Sequence, residues 1–463
     1  MSKRIVPIAV LCLAVLASVA PASADDPEPG SSEWQARDQE NQSYAMARQQ
    51  DQLQHRAFGA KYLNETIEVT AENAADQAQN PTRPVVSASR ALPGEPADAY
   101  RRDWNGRRGM QIAIEYLNRE GARITGNVWA PTLPLVDPVT GESSYGPFPG
   151  IVITTGSIQG FEELYWWAAQ GLAEAGYIVM TYDVQGQGES EVFAHRPDGT
   201  PWCGADGCPG VPFQQSKNFY EGTEDAVAWF LSDANPFRGL VRSVDGDPVL
   251  GLAGHSLGAS AVSSVGNAPT LNGVPNPVDA VVAWDNASMA DCDAPSAPPT
   301  CVRPRVPTMG QNADYFFNTQ PTNDYPAPKN GAFKELREHG VATMQVALRG
   351  STHLEWTFVP YILPASRKGE RVAMYYTLAW FDRYLDPARA GDARARLVAD
   401  TFDDSADASA IGMGSYDGEG NVPYTIGGET VADHLSIYHV SSYAFDGFDC
   451  TDMRRAPHAP GCA

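Results

Sequence analysis

Positive charge, cysteine and long apolar runs are all scarce in this sequence of 463 residues. There are 33 Lys and Arg residues against 56 Asp and Glu residues, and the formal net charge is −23. No basic cluster is longer than a pair, as in the arginine pairs at 101–102 and 107–108. A chain this acidic is poorly suited to bind a phosphate backbone or an anionic membrane surface. We therefore expect no nucleic-acid partner.

The main apolar run, residues 5–20, is shorter than the roughly 20 residues that span a bilayer. Lys3 and Arg4 precede it, and residues 22–24 (Ala-Ser-Ala) place small side chains where a signal peptidase reads them. This pattern predicts that residues 1–24 are a cleaved signal peptide. We expect a secreted, extracellular protein with no integral membrane association.

Cysteine is rare, and its distribution indicates disulfides. One of the seven cysteines, Cys12, lies in the predicted signal peptide, which leaves an even number in an exported chain. The remaining six fall into sequence-local pairs separated by turn-rich segments, although other pairings are possible. The predicted pairs are Cys203 with Cys208, Cys292 with Cys301, and Cys450 with Cys462. The spacing typical of a zinc site is missing, so we expect no metal.

The pattern along the chain predicts one α/β domain with an extension at each end. Residues 25–107 are polar and form an N-terminal extension to which we assign no role. Residues 110–117 and 122–129 read as a hairpin. Strand-like segments at 151–155, 177–182, 249–253, 280–284, 306–310 and 342–348 then alternate with helical stretches that include 161–175, 332–339 and 371–385. This alternation is typical of a mostly parallel sheet flanked by helices, here over residues 108–390. Residues 391–463 form a C-terminal extension with strand-like 422–426 and 435–443.

One motif carries chemistry. The sequence Gly254-His255-Ser256-Leu257-Gly258 follows the apolar strand 249–253 and precedes a helix rich in small residues. The glycines leave room for Ser256 on a sharp, strained turn that exposes its hydroxyl at the edge of the sheet. This arrangement predicts a nucleophile elbow.

With this motif, residues 108–388 resemble the α/β-hydrolase superfamily, in particular secreted bacterial esterases of the dienelactone-hydrolase and cutinase-like type. The resemblance implies an α/β-hydrolase fold and the chain order Ser, acid, His. It places the base at His353, after the strand 342–348, and the acid at Asp314, after the strand 306–310. Asp285, which ends the preceding strand, is the alternative acid. Leu257 stands where these esterases usually have Met. Together with Ser157 in the oxyanion turn and the two terminal extensions, this departure argues against polyester cleavage.

The resemblance also implies an oxyanion hole and a substrate pocket. The N–H of Leu257 is one expected donor, and the N–H of Ser157 is the second, with Ile158 as its alternative. Ser157 replaces the aromatic residue common in these esterases. The tentative pocket residues lie beside the expected site residues and are Ile158, Trp284, Tyr315 and Trp356.

Two further segments adjoin the expected site. Residues 183–190 resemble the DxxGxGxS turn of these hydrolases, in which we expect Asp183 to bind backbone donors. Residues 191–225 are a possible lid or cap insertion.

The function these patterns favour is hydrolysis of a small-molecule or lipid-like carboxylic ester without a cofactor. The alternatives are an acyltransferase or peptidase with the same serine, histidine and acid, or a non-catalytic binding protein on this scaffold. The oligomeric state is left open.

Overall fold

The computed structural model describes residues 104–450 except 120, 137–140, 158–159, 161, 186, 191–215, 286, 296, 298–300, 314–330, 349–352, 354–355, 358–366, 399–423, 427–428 and 432–438. The predicted signal peptide, residues 25–103 of the N-terminal extension and residues 191–215 of the proposed lid therefore lie outside the described residues. So do Ile158, Asp314, Tyr315, Cys203, Cys208 and Cys462.

Strands occur throughout the described residues. They are β1 (Gly109–Leu117), β2 (Arg123–Pro131), β3 (Leu135–Val136), β4 (Ser143–Ser144), β5 (Gly150–Thr154), β6 (Ile178–Tyr182), β7 (Ser243–Val244), β8 (Asp247–Pro248), β9 (Leu250–His255), β10 (Thr270–Leu271), β11 (Val274–Pro275), β12 (Val278–Trp284), β13 (Thr308–Ala313), β14 (Thr343–Leu348), β15 (Tyr424–Ile426), β16 (Glu429–Val431), β17 (His439–Phe445) and β18 (Phe448–Cys450).

Helices alternate with the inner strands. They are α1 (Trp166–Glu174), α2 (Ser216–Phe230), α3 (Leu257–Asn267), α4 (Gly331–Glu338), α5 (Arg367–Leu385) and α6 (Ala390–Val398). Short 3₁₀ helices cover Glu162–Tyr165 and Arg238–Leu240. The predicted helix over 161–175 is thus a 3₁₀ turn that continues into α1. No helix among the described residues is both long and apolar enough to cross a bilayer.

Ten strands form the central sheet, in the order β1-β2-β6-β5-β9-β12-β13-β14-β17-β18. The inner strands from β6 to β14 are parallel, whereas β1, β2, β17 and β18 pair antiparallel at the two sides. The prediction of an α/β fold with a mostly parallel sheet flanked by helices is confirmed. The predicted hairpin is β1 paired with β2.

Alternating side chains on the inner strands build two apolar layers. On β5, Ile151 and Ile153 face the layer that contains α1 and α5, whereas Val152 faces the layer that contains α2 and α3. Both faces are apolar because successive side chains point to opposite sides of a strand and both sides are covered by helices. Near-continuous apolar sequences such as that of β5 follow from this double burial.

The C-terminal extension contributes to the main sheet. Strand β17 pairs antiparallel with β14 over six residues, from Thr343 opposite Ala444 to Leu348 opposite His439. Residues 439–443 of the predicted strand at 435–443 therefore lie in β17, which covers an edge of the sheet that would otherwise expose unpaired backbone groups.

Helix α2 changes the interpretation of the proposed lid. Its first ten residues, 216–225, fall within the predicted insertion, yet Phe219 and Thr223 have no exposed surface. Phe219 packs in the apolar layer with Phe230, at the end of the same helix. Residues 216–225 are therefore part of the helical layer that covers the sheet, and the lid proposal is restricted to 191–215.

One of the three predicted disulfides is present in the described residues. Cys292 and Cys301 are bonded to each other, which confirms that pair. Cys450 ends β18, and its predicted partner, Cys462, lies outside the described residues. The predicted pairs of Cys203 with Cys208 and of Cys450 with Cys462 remain predictions.

Candidate active site

Ser256 occupies a strained turn between β9 and α3. Its φ and ψ are 57° and −120°, a left-handed conformation that residues with side chains rarely adopt. A Cβ on Gly254 would lie 2.5 Å from the carbonyl oxygen of Gly258, and a Cβ on Gly258 would meet carbonyl oxygens at the end of β5. Only glycine fits at both positions. The motif therefore forms the predicted strand–turn–helix geometry.

The loop after β14 places His353 beside Ser256. Nε2 of His353 lies 3.0 Å from Oγ of Ser256, which is a hydrogen-bonding distance. On the other side of the ring, Nδ1 lies 2.6 Å from Oδ2 of Asp285. His353 and Asp285 are 6% and 7% exposed, so solvent screens their contact weakly. The three side chains form one continuous series of contacts.

The carboxylate beside His353 differs from the one that the resemblance implied. Asp314 was the expected acid and lies outside the described residues, whereas Asp285, the alternative, is in contact with Nδ1 of His353. This contact makes Asp285, in place of the expected Asp314, the candidate acid of the site.

Strand register explains why Asp285 reaches the site. Trp284, the last residue of β12, pairs with His255, the last residue of β9. Ser256 and Asp285 therefore leave neighbouring parallel strands at the same level. Asp285 has a φ of 37°, and its N–H donates to the carbonyl oxygen of Gln311 at 2.7 Å. Ser256 and Asp285 thus each follow the end of a strand through a turn of positive φ.

The turn after β5 lies directly against Ser256. A Cβ built on Gly156 would lie 3.3 Å from Cβ of Ser256, so this turn and the elbow are in close contact. Ser157, the next residue, is half-buried. Leu257 is the first residue of α3, and the first amides of a helix have no carbonyl partner within it. The two amides expected to form an oxyanion hole are therefore on segments that meet at Ser256.

Gln187 contacts both ends of the segment that carries Ser157, a role that sequence analysis missed. Its Nε2 donates to the carbonyl oxygen of Gly156 at 2.9 Å, and its Oε1 accepts the N–H of Gly160 at 3.2 Å. Gln187 is 2% exposed. Its place in the DxxGxGxS turn was the available signal, because that turn follows the strand next to β5.

His255 and Tyr165 were also missed as site residues. Nε2 of His255 lies 2.8 Å from the carbonyl oxygen of His353, and Nδ1 lies 2.9 Å from Oη of Tyr165. Tyr165 also accepts the N–H of Gly156 at 3.0 Å. Burial and the nearby His353 lower the pKa of His255 to about 3. His255 lies inside the recognised motif, whereas nothing in the sequence linked Tyr165 to it.

Two predicted pocket residues belong to the core. Trp284 and Trp356 have no exposed surface. Their indole N–H groups donate to Thr377 at 3.1 Å and to Gln311 at 2.9 Å, and both partners are buried. The prediction that these tryptophans line a substrate pocket is therefore wrong, because they pack and hydrogen-bond inward. Ile158 and Tyr315 lie outside the described residues.

Asp183 organises the turn beneath the site, as predicted. Its two carboxylate oxygens accept the N–H groups of Glu162 and Glu189, each at 2.9 Å. Burial raises the pKa of Asp183 to about 7 despite these donors. Burial also raises the pKa of Glu162 well above its usual range, with Glu163 and Asp183 adding to the effect. Both carboxyl groups therefore keep their protons to a higher pH than a solvent-exposed carboxyl group does.

The site brings together a hydroxyl, an imidazole and a carboxylate in the order that proton transfer requires. A hydroxyl in contact with an imidazole can lose its proton as it attacks an electrophile. Within the described residues, no group of three or more His, Cys, Asp or Glu side chains could hold a metal ion.

Comparisons with known proteins add little to this geometry. No protein-family model matches the chain, and no curated protein matches it. Among solved structures, it is similar to a ferulic acid esterase from Streptomyces cinnamoneus, with a TM-score of 0.39 and 17% sequence identity. The match covers 59% of this chain and 88% of the other. A match at this level of similarity does not indicate a function for this chain.

Proposed function

We propose that this chain is a serine hydrolase of the α/β-hydrolase superfamily that cleaves carboxylic esters. The observation that carries the proposal is the continuous contact from Ser256 through His353 to Asp285. A serine hydroxyl is a weak nucleophile unless a base removes its proton, and this series of contacts supplies the base and the group that orients it.

In the proposed mechanism, Oγ of Ser256 attacks the ester carbonyl carbon while Nε2 of His353 takes the hydroxyl proton. The carboxylate of Asp285 accepts a hydrogen bond from Nδ1 and stabilises the imidazolium. His353 then gives the proton to the leaving alcohol, and the C–O bond breaks. Water attacks the acyl-enzyme, transfers its proton to His353, and releases the acid as Ser256 recovers its proton.

The N–H groups of Leu257 and Ser157 are the proposed donors to the oxyanion of the tetrahedral intermediate. Their support is positional, because α3 begins at Leu257 and the turn carrying Ser157 contacts Ser256 through Gly156. Donors that are fixed before the reaction stabilise the developing charge without a cost of reorientation.

We propose a small-molecule or lipid-like ester as substrate and secretion after removal of residues 1–24. Since Trp284 and Trp356 are in the core, the proposed pocket is restricted to Ile158 and Tyr315, with residues 191–215 at its entrance. Protein groups and water suffice for every step, so the proposed reaction uses no cofactor.

The test is reaction with a fluorophosphonate probe followed by peptide mass spectrometry. We expect the adduct on Ser256 and its loss in His353→Ala. Ser256→Ala should abolish hydrolysis of short esters, whereas Ser260→Ala, a change to a second half-buried serine one turn along α3, should retain it. Failure of folded protein to label would refute the proposal and favour a binding role. Cleavage of amides, or acyl transfer to a sugar in preference to water, would reassign the reaction.

A further inference from the structure

A series of buried hydrogen bonds connects two parts of the candidate site that are far apart in sequence. It begins at the N–H of Gly156, passes through Oη of Tyr165 and the ring of His255, and ends at the carbonyl oxygen of His353. The three contacts are 3.0, 2.9 and 2.8 Å long. Tyr165 is 1% exposed and His255 is 3% exposed.

The end groups determine the direction of every hydrogen bond in this series. The N–H of Gly156 can only donate, so Oη of Tyr165 accepts it and directs its own proton to Nδ1 of His255. The carbonyl oxygen of His353 can only accept, so Nε2 of His255 carries the ring proton. Together these requirements define one neutral tautomer of His255, in which each buried polar atom of the series has a partner.

Packing keeps the two rings in place. The ring of Tyr165 is stacked on Trp284, with 4° between the planes and 6.4 Å between the centroids. The ring of His255 lies 4.7 Å from that of His353 and 6.0 Å from Trp356. The tryptophans expected to line the substrate pocket therefore form the walls around this series.

We propose that Tyr165 and His255 are positioning residues that fix the turn of the oxyanion donor and the loop of the base relative to each other. This inference rests on the proposed hydrolase function. Neither side chain contacts Oγ of Ser256 in the described contacts. Tyr165 acts through the amide of Gly156, next to Ser157, and His255 acts through the main chain of His353.

The neutral state of His255 has a second consequence for the proposed reaction. The ionisable groups that face it are Tyr165, His353 and Asp285. During acylation His353 becomes a cation, and a second cation at His255 would repel it across 4.7 Å. A neutral His255 can hold the loop of the base without opposing the charge that catalysis creates.

Three substitutions separate the two halves of the series. Tyr165→Phe removes the hydroxyl and keeps the ring. In His255→Gln, the side-chain amide can replace Nε2 as donor to His353 but offers Tyr165 no acceptor at the Nδ1 position. In His255→Asn, the side-chain oxygen can replace Nδ1 as acceptor from Tyr165 but leaves the carbonyl of His353 without its donor. Tyr182→Phe is the matched control, because its buried hydroxyl contacts Thr154 and Thr223 instead.

We expect Tyr165→Phe and His255→Gln to lower kcat on a short p-nitrophenyl ester about 10- to 100-fold, with little change in KM, because a small displacement of an oxyanion donor costs rate at the chemical step. Since both variants lose the same hydrogen bond, the double variant should be no slower than the slower single variant. His255→Asn should instead shift the acid limb of the pH–rate profile, because that limb reports the protonation of the base, His353. Tyr182→Phe should change none of these quantities.

Thermal unfolding of each variant shows whether it folds, with Tyr182→Phe as the reference for loss of a buried hydroxyl. The inference is overturned if the wild type labels at Ser256 while folded Tyr165 and His255 variants keep the wild-type kcat and pH profile. If the wild type does not label, the proposed function fails. Imidazole ¹⁵N NMR then tests the hydrogen-bonded linkage from Tyr165 through His255 to His353 on its own. His255 should then show the neutral Nε2–H tautomer at neutral pH, with His353 signals that move in Tyr165→Phe. A charged His255, or unmoved His353 signals, would refute the linkage.

Discussion

Replacement of Asp285 by Asn tests the assignment of the acid most directly. Oδ2 of Asp285 lies 2.6 Å from Nδ1 of His353, and both residues are buried. Asn retains an oxygen that can accept a hydrogen bond, so the substitution removes the negative charge with little change of shape. The proposed mechanism needs that charge when His353 becomes a cation.

The magnitude follows from the separation of the charges. The carboxylate and imidazolium charges are each spread over two atoms, so their effective separation is about 4 Å, which gives about 4 kcal/mol at an effective dielectric constant of 20. Because about 1.4 kcal/mol corresponds to a tenfold change in rate, kcat should fall about 10³-fold. Loss of control over the tautomer of His353 brings the expected loss towards about 10⁴-fold.

The assay is steady-state hydrolysis of a p-nitrophenyl ester, together with the rate of phosphonylation of Ser256. Asp279→Asn is a matched control, because Asp279 is on the same strand and accepts the N–H of Leu250 at 3.0 Å, away from the site. We expect it to retain the wild-type kcat. Asp314→Asn tests the acid that the family resemblance implied. If that variant lost activity about 10³-fold while Asp285→Asn stayed within about tenfold of wild type, the assignment to Asp285 would be refuted.

Three further predictions concern stability. Gly258→Ala should lower the free energy of unfolding in urea by about 1–3 kcal/mol, because its methyl group would meet main-chain oxygens. Gly391→Ala, which has open space around it, should not lower that free energy. Equal effects of the two substitutions would contradict this prediction. Removing the disulfide in Cys292→Ser/Cys301→Ser should cost about 2–3 kcal/mol for a sequence separation of 9, and an unchanged urea midpoint would be inconsistent with that estimate. Burial raises the pKa of Asp183 to about 7. Between about pH 4 and 7, Asp183 therefore binds more protons in the folded chain than in the unfolded chain, and the free energy of unfolding should fall as pH rises through this range. Asp183→Asn should flatten that dependence, and equal slopes in urea titrations would count against it.

The local parts of the site could be predicted because their signals are local. A strand followed by Gly254 to Gly258 identified the elbow, since the need for small residues around a strained serine depends only on its close neighbours. Asp183 was recognised for the same reason, because its turn is contained within a few residues. The short spacing of Cys292 and Cys301 identified their disulfide.

The remaining features depend on distances between segments that only the fold brings together. Asp285 and Asp314 both come directly after strands in the sequence, and only the position of His353 in the fold shows that its imidazole contacts Asp285. Trp284 is adjacent to that acid in sequence, but alternation along the strand turns its side chain into the core.

The sequence by itself therefore determined the fold class and the turn that carries Ser256, because apolar periodicity and tight turns are properties of contiguous residues. The family resemblance added His353, which contacts Ser256 in the fold. Tertiary structure decided which carboxylate contacts His353, that β17 extends the sheet, and that Tyr165 joins His255 across 90 residues of chain. Each of these depends on packing in three dimensions, where a side chain's partner is set by strand order and register and not by separation along the chain.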